Sequence, residues 1–225
     1  EGNSNDRKKF LSKLIETNVN YALKLLESTW NQEPLVNKKA FIEILKDNLN
    51  DEILSFAENL YKTEFSYKAK EKKTEKECRK LLVEILLQSD ESELQKLTLI
   101  KLFQYFNKQK KKSLLGFISS KSQDEYQLPA EEDAEFWNAP NMEQIYGFET
   151  KNYDISLFKT INQYWLSLFI ELLPANAWLD ANLSSNNDFL NCFLENDDFK
   201  VKLSGKIVPI YQDSILKNAI SFEDN

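Results

Sequence analysis

Asn50-Asp51-Glu52-Ile53-Leu54-Ser55-Phe56-Ala57-Glu58-Asn59-Leu60-Tyr61 decides the fold class. Asn50 and Asp51 read as a helix cap, and Ile53, Leu54, Ala57, Leu60 and Tyr61 then recur along one helical face. The same periodicity extends in both directions. Upstream, Phe10, Leu14, Val19, Tyr21, Leu25 and Leu26 predict a single helix from Asp6 to Trp30. Asn31-Gln32-Glu33-Pro34 ends it, because a proline pushes the residue before it out of helical backbone. A second helix is predicted from Asn37, carrying Phe41, Ile44, Leu45 and Leu49. Downstream, Thr74 to Gln88 repeats the pattern through Cys78, Leu81, Leu82, Ile85 and Leu86. Ser89-Asp90 then caps a long segment from Glu91, with Leu94, Leu97, Ile100, Leu102, Phe103 and Phe106. These apolar stripes are wide, as in helices that cover a core.

The second half is more broken. Pro129 stands at a helix start, and Pro140 and Gly147 interrupt Ala139 to Thr150, which is expected to be partly irregular. Tyr153 to Leu173 is the strongest apolar element, with Phe158, Ile161, Tyr164, Trp165, Leu168, Phe169 and Leu172, and Pro174 stops it. Near the end, Phe199 to Leu203 alternates in polarity, Ser204-Gly205 supplies a turn and Lys206 to Tyr211 pairs back, a hairpin pattern. Pro209 confines its strand to an edge or a bulge. The expected fold is mainly α: an irregular helical bundle or stacked helical hairpins with a small C-terminal β-hairpin, α+β being the alternative. Four glycines and five prolines in 225 residues are too few for a turn-rich β-sandwich or barrel.

Charge divides the chain. Residues 1–123 carry 23 Lys and Arg against 18 Asp and Glu, whereas residues 124–225 carry 6 against 18, for a net charge of −7. The polar stretch Ser119 to Asp124 is expected to be a linker or exposed loop between a lysine-rich subregion (1–123) and an acidic, aromatic-rich one (124–225), unless the two form one continuous domain. Arg7 and Arg79 are the only arginines, and lysine lacks the planar fork that reads phosphates and base edges bidentately. The basic half is therefore a poor sequence-specific nucleic-acid reader.

The chain contains no histidine, which removes Ser-His-Asp and Cys-His nucleophiles, histidine metal sites and histidine acid/base steps. Cys78 and Cys192 lie far apart among apolar neighbours and are expected to be buried structural thiols, a usage that fits the cytoplasm or another reducing compartment. Two lone cysteines do not make a zinc site, so no metal is assigned. No phosphate loop, nucleophile elbow or dinucleotide fingerprint is present, and no cofactor or catalytic residue is expected. The richest apolar stretch, Tyr164 to Leu173, is about half of a membrane span. The chain opens on polar residues without Met, its one methionine being Met142, as expected of a sequence that is trimmed, processed or excised from something longer.

Three sets of residues remain as candidates. Glu131, Glu132 and Glu135 belong to the densest acidic cluster, which reads as the first turn of a helix after Pro129 and, alternatively, as carboxylates for Mg²⁺ or Ca²⁺. Phe136, Trp137, Tyr146 and Phe148 lie beside them in a segment that proline and glycine break, so their rings are expected near the surface. Lys108, Lys110, Lys111 and Lys112 form a basic patch, expected as a solvated helix end or a phosphate- or lipid-facing segment.

The expected function is a non-catalytic protein-interaction module: an assembly factor, adaptor, inhibitor or immunity-type protein. It would bind a partner with a basic surface through the acidic, aromatic face. Nucleic-acid or anionic-membrane binding through the lysine-rich half is the first alternative, and a carboxylate-dependent enzyme, with Mg²⁺ where needed, the second.

Overall fold

The computed structural model describes residues 3–112, 118–128, 135–179, 191–203 and 206–222. It is mainly helical with a small C-terminal β-hairpin, as the periodicity implied. The chain divides into two compact units: residues 1–95 with 143–147, and residues 96–142 with 148–225.

The first unit is built on α1 (Ser4–Trp30), α2 (Leu35–Lys46), α3 (Asp51–Thr63) and α4 (Lys73–Gln88), followed by the first turn of α5 (Glu93–Phe103). α1 is not the single straight helix expected from residues 6–30. At Asn18 the backbone leaves helical geometry (φ −160°, ψ 86°), and the Asn18 side chain accepts the Tyr21 N–H at 3.0 Å, capping a new helical run. The break is large. Arg7 and Glu33, 26 positions apart, are joined at 2.5 Å, whereas a straight helix would separate them by about 39 Å. α1 is therefore a helical hairpin folded at Asn18. Its buried residues are Leu11, Ile15, Ala22, Leu23, Leu26 and Trp30, while Phe10 and Tyr21 are exposed.

α2 packs against α1 and α4, and α3 against α1 and α4. Their apolar faces merge with that of α1 into one core containing Phe41, Leu45, Ile53, Phe56, Leu60, Leu82 and Ile85. Asn50 caps α3 as its sequence indicates, accepting the Ile53 N–H at 2.9 Å. Residues 143–147 are held in this unit by polar ties. Arg79 forms a bidentate pair with Glu71, both side chains being 2% exposed, and its remaining Nη donates to the Glu143 and Gln144 carbonyls at 2.6 and 2.5 Å. The Tyr61 hydroxyl donates to the Ile145 carbonyl at 2.9 Å. Gly147 follows at φ 69°, a left-handed conformation that favours glycine.

In the second unit, α5 ends at Phe103, and β1 (Phe106–Lys112) pairs antiparallel with β2 (Ile118–Tyr126). The register places Lys108 opposite Asp124 and Lys110 opposite Ser122. Two expectations are corrected here. The lysine run occupies a strand, not a helix end, and the stretch Ser119 to Asp124 is a paired strand, not a linker or loop. Pairing explains both, because Asn107 to Lys110 find ladder partners in Ser122 to Glu125.

α6 (Ala139–Gln144) is one short helix in the irregular segment, and α7 (Ile161–Leu172) lies inside the strongly apolar stretch. α8 (Ala175–Leu179) follows, and β3 (Lys200–Leu203) pairs with β4 (Lys206–Pro209) in the anticipated hairpin. α9 (Gln212–Phe222) packs on α7. The buried Asn218 amide of α9 donates to the Ile170 and Leu173 carbonyls at 2.8 and 2.5 Å, satisfying the C-terminal end of α7. A cluster of aromatic rings forms part of this unit's core: Phe193 lies 5.5 Å from Tyr126, 5.6 Å from Trp178 and 5.8 Å from Tyr211.

Candidate functional site

The hairpin in α1 creates a groove. Its two arms meet at Asn18, and near their far ends they border an open cavity of 490 Å³. Arg7, Phe10 and Leu11 line it from the first arm, and Leu25, Leu26 and Thr29 from the second. Leu25 and Thr29 stand one helical turn apart on the second arm, and Gln32 follows just past its end. Phe41 of α2 is buried at 3% exposure and completes the apolar lining. Phe10 is 56% exposed, a large ring left in solvent at the lip.

One end of the groove is polar and tightly organised. The Glu33 side chain is 4% exposed, and both of its oxygens are engaged: Oε1 accepts from Arg7 Nη1 at 2.5 Å and Oε2 from the Asn37 amide at 3.0 Å. Asn37 in turn accepts from the Ser4 hydroxyl at 2.7 Å. Arg7 is 42% exposed, and its Nε–H is buried without a hydrogen-bond partner among the described residues. Among the described residues the Glu33 oxygens and the Asn37 side-chain oxygen all accept, and Arg7 makes one ion pair, through Nη1. An apolar cleft with a few fixed polar groups is the usual form of a binding site, and this volume lies in the ordinary range.

The residues singled out in the sequence fall elsewhere. Trp137 and Phe148 are buried at 5% and 2%, Tyr146 is buried as well, and Phe136 is half-buried. This corrects the expectation of rings near the surface. Phe136, Trp137 and Phe148 converge on Phe169 of α7, with centroids 6.2, 6.0 and 5.0 Å away, so they are core of the second unit. Tyr146 belongs to the first unit. An irregular backbone had suggested exposure, but large rings in such a segment can still be drawn inward by apolar burial. Of the acidic rim, Glu135 is exposed, while Glu131 and Glu132 lie outside the described residues. The side chains of Lys108, Lys110, Lys111 and Lys112 are likewise outside them, their backbone forming β1.

Among the described residues, two almost fully buried carboxylates, Glu33 and Glu71, are both held in ion pairs. Glu33 is engaged by Arg7 and Glu71 by Arg79, so the chain's two arginines each meet a carboxylate that is almost completely buried. Glu64, less deeply placed, accepts from Lys38 at 2.6 Å and from the Trp30 indole. Cys78 and Cys192 are buried free thiols, and burial pushes the Cys78 thiol up to about 12. Among the described residues no group of His, Cys, Asp and Glu is placed to hold a metal ion, and no helix is long and apolar enough to cross a membrane. No family model matches the chain, and neither curated proteins nor solved structures show significant similarity to it.

Sequence reasoning missed the groove because it read α1 as continuous. The signals were Asn18, a capping residue inside a helical stretch, and Arg7, one of only two arginines in a lysine-rich chain.

Proposed function

We propose that this chain is a non-catalytic protein-interaction module, an adaptor or inhibitor in character, which takes an apolar group of its partner into the α1 groove. The observation that carries the reading is the open 490 Å³ groove, with Phe10 exposed at its lip and a fixed Arg7–Glu33 pair at its end. Solvent-facing aromatic rings beside organised polar groups are the usual anchors of protein interfaces. The commitment of Glu33 and Glu71 to arginines supports binding over carboxylate catalysis.

Affinity capture with the full chain tests it. The wild-type protein should retain a protein partner at moderate salt, and Phe10→Ser should deplete that same species about tenfold with an unchanged circular dichroism spectrum. Equal capture by both forms, or none by either, would contradict the reading.

A second reading keeps nucleic acid as the partner of β1 and β2. Lys108, Lys110, Lys111 and Lys112 fall in one strand of a two-stranded antiparallel ribbon, an element that a major groove admits. It requires binding to duplex DNA or RNA that falls steeply with salt and weakens when Lys110, Lys111 and Lys112 become Gln. Titration of labelled duplexes decides it.

A further inference from the structure

We infer that the occupant of the α1 groove is an acidic amphipathic helix of a partner protein, an inference that rests on the interaction-module reading above. The type of element follows from the walls. The described part of the first unit is helical, with no strand edge to which a peptide could add by β-pairing. The apolar lining (Phe10, Leu11, Leu25, Leu26 and Phe41) sits between two helical arms, a form that suits an apolar row at i, i+3, i+4 and i+7.

The sign of the partner follows from hydrogen-bond capacity and charge. Glu33 is buried and already accepts from Arg7 and Asn37, so it offers little to a cationic ligand. Arg7 stands 42% exposed beside the apolar wall, with Nη1 on Glu33 and Nε buried, so its solvent-facing part is the far edge of the guanidinium. The Glu33 contact holds the guanidinium in place, so a second carboxylate meets a pre-oriented positive group and not a flexible chain. The arm that bears Phe10 carries Arg7, Lys8, Lys9 and Lys13 against Asp6 and Glu16, so this arm, though not the second one with Lys24 against Glu27 and, past its end, Glu33, is net basic. Lys13 stands one helical turn from Phe10 and is exposed. A helix with carboxylates flanking its apolar row would meet Arg7 and Lys13 on either side of the Phe10 ring. Such charges add specificity and faster encounter more than raw affinity.

The test uses the full chain and two labelled synthetic helical peptides with the same leucine row, one with Glu at its polar positions and one with Lys. Fluorescence polarisation should show the Glu peptide binding about tenfold more tightly, an advantage that shrinks as salt rises. Phe10→Ser should weaken both peptides. Arg7→Gln and Lys13→Glu should each reduce the preference for the Glu peptide, and Lys13→Glu alters an exposed side chain with no ion pair or hydrogen bond among the described residues. Equal binding of the two peptides that still responds to Phe10→Ser would overturn the acidic-helix inference and leave the groove reading standing. A preference for the Lys peptide would overturn the inference in the same way. Failure of both peptides to bind would overturn the inference, and if wild-type capture of a protein partner were also insensitive to Phe10→Ser the groove reading would fall with it.

Discussion

Trp137 shows how residue identity and residue environment part company. In sequence it is an aromatic flanked by Asn138 and Pro140, the kind of neighbourhood that exposes a side chain. In the structure its ring meets Phe136, Tyr105 and Phe169 edge-on at 5.3, 6.0 and 6.0 Å. Trp137→Ala should therefore cost about 3–5 kcal/mol of stability, measured by urea unfolding, in place of a loss confined to binding. A variant with full stability would return Trp137 to the surface. Buried titratable groups make a second prediction. Burial, with Glu64 adding to it, raises the Cys78 thiol to about 12, and burial holds the Tyr126 and Tyr211 phenols well above their usual value. In the unfolded chain these groups ionise at ordinary values near 9 and 10, so the unfolded state loses protons that the folded state must keep. Their contribution is complete below about pH 9 and declines as pH rises towards 12. The urea midpoint should fall between about pH 8 and pH 10.5, and a flat profile would contradict the burial of these groups.

Among the elements, α1 forms both walls of the groove. Asn18 interrupts its backbone and at the same time caps its second arm, so one residue both ends and begins a helix. The buried positions show why the fold back is favoured: Leu11 and Ile15 on one arm and Ala22, Leu23 and Leu26 on the other enter one core. Asn18→Ala removes the cap and should lower stability by about 0.5–2 kcal/mol, read as a drop in the thermal midpoint, whereas Asn18→Asp should retain most of it. An unchanged midpoint in the alanine variant would show that the capping bond contributes nothing. Most elements were legible. Periodicity located α2, α3, α4 and α7, and alternation with a Ser-Gly turn located β3 and β4. What escaped were features fixed by tertiary pairing. Phe106 to Lys112 has little β-propensity in its lysines and becomes a strand only because residues 118–126 lie alongside it. The fold back of α1 is similarly decided by what the two arms bury, and apolar spacing alone is the same for one helix as for two.

At the scale of the whole molecule, the charge asymmetry that suggested an acidic binding face has a different consequence. Trp137, Phe148, Trp165 and Trp178 of the acidic half are buried, and in the first unit the groove leaves Phe10 exposed on the arm that also bears Arg7 and Lys13. The candidate groove was not legible in the sequence, because its location depends on a helix break and on Arg7 reaching Glu33. The α1 groove is the surface proposed to contact a partner. The most direct test is an amide chemical-shift map of the full chain during titration with the Glu-rich amphipathic peptide. Perturbations should concentrate on residues 7–14 and 25–33 and vanish in the Phe10→Ser variant. Perturbations centred on residues 135–148, or none at saturating peptide, would contradict it.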